Sequence, residues 1–232
     1  MMMRGSCSFE ILYLDFGKAL LVLLPVTIAI LCGGVVWCIF YTPSDAVQGD
    51  TYRILFVHMP AAHVALVGYI AMAFAGVTAY LGNARLAEVI VRSCAWPGAG
   101  LTIVAILSGS LWAKPTWGTW WEWDARTIST VVLLFFYTVV IWVDSSTPRS
   151  RHRSKVCALV AIIGVVNIPI VYLSVEWWFT LHQPATIDLI SGNTISDMML
   201  QPLRLMVVAF YLFFICSVLV CARLNMVIEQ MS

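Results

Sequence analysis

Residues 19–40, ALLVLLPVTIAILCGGVVWCIF, form an apolar run that contains no charged side chain. A helix needs about 20 consecutive apolar residues to cross the hydrocarbon core of a bilayer, and this run is long enough. A single run of this kind must be helical, because lipid cannot satisfy an open backbone. The run is long for a signal-peptide core and is not followed by a small-residue cleavage site. We therefore expect it to remain as a membrane span.

Five further apolar runs follow the first along the chain. Of the 232 residues, 61% are hydrophobic and 11% are charged, and the mean hydropathy is +0.91. This composition excludes an ordinary soluble domain, in which about a quarter of the residues are charged. We predict an all-α polytopic membrane protein in which residues 1–232 form one domain, a bundle of six transmembrane helices. The predicted spans are residues 19–40, 60–81, 94–112, 127–143, 156–175 and 203–222.

The basic residues predict the orientation of these spans. Six spans place both termini on one side, and Lys and Arg divide nine to four in favour of that side. Cytoplasmic loops carry the excess of Lys and Arg, so we predict that both termini are cytoplasmic. The run 149–155 is then a topology anchor and not a nucleic-acid patch. The nine are Arg4, Lys18, Arg85, Arg92, Arg149, Arg151, Arg153, Lys155 and Arg223, and the four are Arg53, Lys114, Arg126 and Arg204.

The outward-facing segments, residues 41–59, 113–126 and 176–202, are the longest connections and are rich in Trp, His and Asp. The middle segment includes WGTWWEWDAR at 117–126, with four indoles within seven residues. Trp117, Trp120, Trp121 and Asp124 are spaced i, i+3, i+4 and i+7, so a helix would align them on one face. Such an aromatic surface suits a planar ligand. A belt of tryptophans at the membrane interface would also account for it.

Two more segments carry a histidine at the predicted outer end of a span: YRILFVHMPAA at 52–62 and SVEWWFTLHQ at 174–183. Together with the Trp-rich segment, they occur in the order typical of the haem-handling membrane proteins with a WWD motif. The form WGTWWxWDAR resembles the branch called haem exporter protein C (CcmC) of cytochrome c maturation. The larger synthetase-type branches read Trp-Asp-Pro at this point, whereas this chain has Ala125.

The resemblance implies a site for haem b, an iron protoporphyrin. His58 and His182 would be the axial iron ligands, because iron takes imidazole donors from opposite faces of the macrocycle. Arg53 and Arg126 would pair with the propionates, a task suited to guanidinium groups. Asp124 would repel propionates, so we expect it to orient Arg126 or a Trp N–H. The tryptophans of the aromatic surface would be Trp117, Trp120, Trp121 and Trp123.

Two other histidines are weaker candidates. His63 lies about one turn deeper in the second span than His58, and is either a substitute ligand or a packing residue. His152 lies in the basic cytoplasmic loop and is expected to be solvated.

The resemblance also implies a function. The protein would be an inner (cytoplasmic) membrane component of cytochrome c maturation that binds haem at the periplasmic face and transfers it to a periplasmic haem chaperone. Its partners would be an ABC-type ATPase, a permease subunit and a small single-span subunit. The sequence contains no P-loop, so it lacks an ATPase motif of its own, and we expect a haem-transport protein and not an enzyme.

Two alternatives use the same residues differently. A membrane b-type cytochrome for electron transfer would ligate haem by two histidines between helices, yet only His63 lies deep in a predicted span. A solute transporter could use the tryptophans as a stacking platform without haem. An absorbance spectrum of the purified protein distinguishes the haem-binding readings from the transporter.

Overall fold

The computed structural model describes residues 3–82, 84–178, 180–182 and 195–230. Six helical segments within these residues are long and apolar enough to cross a membrane, which confirms the predicted all-α polytopic bundle. A short 3₁₀ helix, Asp50–Ile54, precedes α2. The α-helices are α1 (Met3–Phe40), α2 (Leu55–Gly82), α3 (Arg85–Trp117), α4 (Ala125–Ser146), α5 (Arg151–Gly164), α6 (Asn167–Trp177) and α7 (Asp197–Gln230).

The helices are longer than the apolar runs that predicted them. The third run covers residues 94–112, whereas α3 extends from Arg85 to Trp117. The extra turns contain polar residues that lie inside the bundle: Arg92 is only 4% exposed and pairs with Glu229 of α7. A run of apolar residues therefore marks the middle of each helix, while the backbone continues to satisfy its own hydrogen bonds beyond it.

The fifth span consists of two helices. α5 ends at Gly164 and α6 begins at Asn167, with Pro169 in the first turn of α6, where a missing N–H costs no helical hydrogen bond. Pro25 and Pro97, in contrast, lie inside α1 and α3. A side chain at Gly164 would collide with Tyr69 of α2 and Phe136 of α4. Glycine at this position therefore allows α2 and α4 to pack closely where α5 ends.

α2 and α3 form the centre of the bundle and pack on each other most extensively, while α1 packs mainly on α7 and α6 packs on α4. Buried aromatic residues fill the space between α2 and α4: the Tyr69 and Tyr137 rings meet edge to face at 4.9 Å. The Tyr137 hydroxyl donates to the carbonyl of Ala65 at 2.8 Å, so this buried polar group is satisfied.

Because consecutive spans alternate in direction, the start of α2, the end of α3, the start of α4 and the end of α6 lie at one end of the bundle. The start of α1 and the end of α7 lie at the opposite end, where the Arg223 guanidinium of α7 is 4.1 Å from the Tyr13 ring of α1. We call the first end the histidine end, because it carries His58 and His182, and the second the terminal end.

The connection between α6 and α7 differs in part from what its sequence predicts. The sequence predicts that residues 177–181 continue the fifth span as a helix, but α6 ends at Trp177 and the backbone of Trp178 is extended. Pro184, Gly192 and Pro202 predict an irregular loop before the sixth span. Pro184 and Gly192 lie outside the described residues, and Pro202 lies within α7.

Candidate functional site

The Trp-rich segment is not helical, so the predicted alignment of Trp117, Trp120, Trp121 and Asp124 on one helix face is wrong. α3 ends at Trp117 because Gly118 adopts the left-handed conformation, with φ of 80°, and its N–H bonds to the carbonyl of Lys114. This is the usual helix stop provided by glycine. α4 begins only after Asp124, which caps it. The residues between the two helices form an irregular connection.

Asp124 joins this connection to the segment that follows α6. Its Oδ1 accepts the Thr127 N–H at 2.8 Å, which caps α4. Its Oδ2 lies 2.6 Å from Nδ1 of His182 and also accepts the Thr180 hydroxyl. The backbone N–H of His182 donates to the same Thr180 hydroxyl oxygen at 3.1 Å. We expected Asp124 to orient Arg126 or a Trp N–H; instead, its hydrogen bonds within the described residues hold His182 in place.

The protonation of this pair follows from its surroundings. Burial raises the pKa of Asp124, but the hydrogen bonds from Thr180 and the Thr127 N–H outweigh it, and nearby His182 lowers the pKa further, to below its ordinary value. Burial lowers the pKa of His182, and the opposing effect of Asp124 does not cancel that shift. At neutral pH an ionised Asp124 therefore faces a neutral His182. A carboxylate only accepts, so Nδ1 of His182 carries the proton.

His58 lies in the second turn of α2 and faces α3. Its Nδ1 is 2.9 Å from the carbonyl oxygen of Ala105 and 3.2 Å from the Ser108 hydroxyl. The Ala105 carbonyl can only accept, so Nδ1 of His58 also carries the proton. The Ser108 hydroxyl donates to the carbonyl of Val104 at 2.6 Å, which leaves its oxygen free to accept from His58.

α3 shapes the surroundings of both histidines. A Cβ at Gly109 would lie 2.8 Å from Cε1 of His58, so the absence of a side chain there makes room for the imidazole. Trp112 meets the His58 ring edge-on at 5.8 Å, and Trp117 meets the His182 ring edge-on at 4.9 Å. These tryptophans are five residues apart on α3, or about 7.5 Å along its axis at 1.5 Å per residue. The two imidazoles therefore pack against the last turns of α3, at the same end of the bundle.

The other tryptophans of the segment divide into exposed and packed rings. Trp120 is 55% exposed and Trp123 is 78% exposed, which are large apolar surfaces to leave open. Trp121 is half-buried against the Trp123 ring at 5.6 Å, and its Nε1–H is buried without a hydrogen-bond partner among the described residues. A buried donor without a partner is costly, so this indole N–H is a place where a ligand could supply an acceptor.

The two candidate arginines occupy different places. Arg126, at the start of α4, donates to the Ser174 hydroxyl at 3.3 Å and to the carbonyl of Tyr172 at 3.2 Å, and its charge acts on both histidines. Arg53 instead bonds within the connection between α1 and α2, to Asp50 at 3.1 Å and to the carbonyl of Thr42 at 3.0 Å. The structure thus brings Arg126 to the histidine pair and ties Arg53 to the neighbouring connection.

The remaining two histidines lie elsewhere. His63 is exposed on the outer surface of α2, with its Nε2 2.9 Å from the Tyr211 hydroxyl of α7. His152 is exposed at the start of α5, at the terminal end.

Sequence reasoning missed the residues that hold the histidines. Thr180, Ala105, Ser108, Gly109 and Trp112 have no chemistry of their own that marks them as functional. The available signals were weak: Thr180 precedes His182 by two residues, and Ser108-Gly109-Ser110 is a run of small residues in a bulky span.

Comparisons with known proteins agree with the motifs. The family model described as "Heme exporter protein C" matches residues 8–232. "Heme exporter protein C" of Escherichia coli K12 is 39% identical over 186 residues, covering 80% of this chain and 75% of that protein. Its Haemophilus influenzae namesake is 35% identical over 204 residues, covering 88% and 83%. A "putative cytochrome c biosynthesis ccmC-like mitochondrial protein" of Marchantia polymorpha is 39% identical over 173 residues, covering 75% and 73%. The chain belongs to the haem exporter protein C family.

Proposed function

We propose that this protein binds haem b through His58 and His182 at the histidine end of the bundle and passes it on during cytochrome c maturation. Haem is cargo in this proposal. The proposal rests mainly on one observation, which is that the two imidazoles share the same tautomer and the same kind of hydrogen bond. Each has its Nδ1–H bound to a fixed acceptor, the Ala105 carbonyl or the Asp124 carboxylate, and so presents Nε2 with a free lone pair.

This arrangement suits iron ligation for two reasons. A ligating histidine must be neutral, and the hydrogen bond at its second nitrogen fixes both the tautomer and the ring orientation. The negative charge of Asp124 also makes Nε2 of His182 a stronger electron-pair donor to iron than a neutral carbonyl partner would. Two imidazoles held in this way could take the two axial positions of one haem iron.

The surrounding side chains would hold the porphyrin. Trp117 packs against His182. Trp120, Trp121 and Trp123, in the connection that follows, would offer further aromatic faces, and the unpaired Nε1–H of Trp121 would offer a donor. Arg126 carries the positive charge nearest to the pair and would attract a propionate. Arg53 would have to give up part of its bonding to Asp50 to do the same.

The exposed rings of Trp120 and Trp123 support a transfer role, because a partner can contact haem only at an open edge of the site. We propose that a periplasmic haem chaperone docks at this surface. The nine-to-four division of basic residues supports an inner-membrane orientation with the histidine end facing the periplasm. An ABC-type ATPase, a permease and a small single-span subunit would complete the complex, as the names of the relatives suggest for an exporter.

Haem spectra of purified variants test the proposal. We expect His58→Ala and His182→Ala each to lose most of the haem that the wild-type protein retains, and to abolish cytochrome c maturation. His63→Ala is the matched control, because it removes an imidazole from the same helix as His58 and should leave both readouts unchanged. Loss of haem in His63→Ala, with normal haem in the other two variants, would show that the ligand assignment is wrong.

A further inference from the structure

The terminal end of the bundle contains a polar cavity of about 340 Å³ where the ends of α3, α4, α5 and α7 meet. It lies at the opposite end of the bundle from the histidine pair. Its volume is at the lower end of the range for small-ligand sites, about 300 to 1,000 Å³. The charged and amide side chains in its lining are Arg92, Arg149, Arg153, Asp144, Glu229 and Asn225.

The lining carries more positive than negative charge. Arg92 pairs with Glu229, and its Nε lies 3.8 Å from Oδ1 of Asp144, while Arg153 Nη1 lies 3.6 Å from the same oxygen. Three guanidinium groups thus face two carboxylates. Arg92 and Arg153 are only 4% and 7% exposed and are balanced by the two carboxylates, so the excess positive charge lies on Arg149, which is exposed at the rim.

The cavity also contains unused hydrogen-bond donors. Within the described part of the chain, the buried Nε–H groups of Arg92 and Arg153 have no hydrogen-bond acceptor. The contacts of both residues to Asp144 Oδ1 are too long to be hydrogen bonds, and this carboxylate oxygen is itself buried without a hydrogen-bond partner among the described residues. Buried arginines normally have their donors paired, because an unpaired buried donor forfeits its hydration. Among the described residues, the network therefore has two unpaired Nε–H donors and one unpaired carboxylate oxygen, which leaves one donor in excess.

We propose that this cavity binds the phosphate group of an anionic phospholipid. Phosphate oxygens accept hydrogen bonds from several guanidinium groups at once, which is the contact for which arginine is best suited. The cavity lies at the ends of the spans, where lipid headgroups are found, and basic pockets between membrane helices are typical headgroup sites. Arg149 is exposed at its rim and donates to the carbonyl of Ile228 at 2.7 Å with one nitrogen, so its other donors are open to the surface.

The test uses the full chain, purified in detergent and titrated with phosphatidylglycerol, with bound lipid counted by native mass spectrometry. Arg149→Gln is the chosen variant because Arg149 is exposed and its loss should not unfold the bundle. Arg151→Gln is the matched control, since Arg151 is also exposed two residues away but does not line the cavity. We expect Arg149→Gln to weaken binding of one phosphatidylglycerol by about fivefold, and Arg151→Gln to change it by less than about twofold.

Two further titrations identify the source of the anion. Zwitterionic phosphatidylcholine should bind at least about fivefold more weakly than phosphatidylglycerol, and inorganic phosphate at equal concentration should not displace the lipid. The proposal is overturned by equal binding of the two lipids, or by equal losses in the two variants, which would indicate diffuse surface charge. Displacement by inorganic phosphate would also overturn it and assign the cavity to a soluble phosphate.

Discussion

Asp124 and His182, 58 residues apart, depend on each other for the geometry of the site. The carboxylate caps α4 with one oxygen and fixes the imidazole with the other, so one side chain sets both the start of a helix and the direction of a ligand. Burial keeps His182 neutral, whereas the hydrogen bonds from Thr180 and the Thr127 N–H keep Asp124 ionised. Because the pKa of His182 lies below its ordinary value, its Nε2 is available at neutral pH. Protonation of that nitrogen would compete with iron.

The pH dependence of haem binding follows from this shift. We expect affinity to stay constant above the ordinary histidine pKa of about 6.5 and to fall only at lower pH, because His182 becomes charged below that value. An equilibrium haem titration between pH 4.5 and 8, followed by Soret absorbance, measures the midpoint. Asp124 opposes the lowering of the His182 pKa, so removing its charge should move the His182 contribution to still lower pH.

Asp124→Asn separates the two roles of the carboxylate. Asn caps helices as well as Asp does, so α4 should keep its start and the protein its abundance. The loss of the charged partner of His182 should nevertheless weaken haem affinity at pH 7 by roughly 10- to 100-fold, the usual cost of removing such a support. Unchanged affinity and an unchanged acid midpoint in the Asn variant would mean that Asp124 serves α4 alone.

At the scale of elements, α3 positions His58, the candidate iron ligand that α2 carries. Gly109 of α3 lies under the His58 imidazole, and a Cβ there would come within 2.8 Å of Cε1 and 3.2 Å of Nδ1. Gly109→Ala should therefore displace the ring from the Ala105 carbonyl. We expect roughly a 10- to 100-fold loss of haem affinity, measured by the same titration.

Gly100→Ala is the control for this prediction, because Gly100 lies on the same helix and a Cβ there would meet nothing within 4 Å. Both substitutions replace glycine with a stronger helix former, so a change in helix stability alone would affect them equally. If both variants bind haem like the wild-type protein, the close approach of Gly109 to His58 does not position the ligand.

Hydropathy found every span, since the requirement for apolar residues in lipid is stronger than any local preference. Hydropathy could not place the helix ends. α3 keeps Arg92 inside the bundle because Arg92 pairs with Glu229 and Asp144, which lie on helices distant in sequence.

The error in the Trp-rich segment has a different cause. Periodicity favoured a helix there, but Gly118 and Asp124 are a helix stop and a helix cap, and these local signals override spacing.

The candidate ligands His58 and His182 could be found from the sequence because they lie in recognisable motifs. The residues that hold the two imidazoles in place could not be found in this way. Ala105 contributes a backbone carbonyl, Gly109 contributes empty space and Thr180 contributes a common hydroxyl. None of these is visible in composition. Their roles arise only when α2 meets α3 and when the segment after α6 meets the start of α4.

At the scale of the whole molecule, the structure has two chemically distinct ends. The histidine end holds neutral imidazoles, exposed tryptophans and few cations, while the terminal end holds the arginine-lined cavity. The two ends are separated by the apolar length of the bundle. Under the proposed function, the orientation of this axis would decide which compartment receives haem, and the helix packing alone is compatible with either direction.

The positive-inside rule predicts the direction, and reporter fusions test it. An alkaline phosphatase joined after Gly118, at the histidine end, should be active because that end faces the periplasm, where the enzyme folds. A fusion after Arg151, at the terminal end, should be inactive, since nine of the 13 basic residues hold that end in the cytoplasm. A cytoplasmic reporter at either terminus should give the complementary result. The reverse pattern would turn His58, His182 and the exposed tryptophans toward the cytoplasm, where a periplasmic chaperone could not reach the haem, and the transfer proposal would fail even if both histidines bind iron.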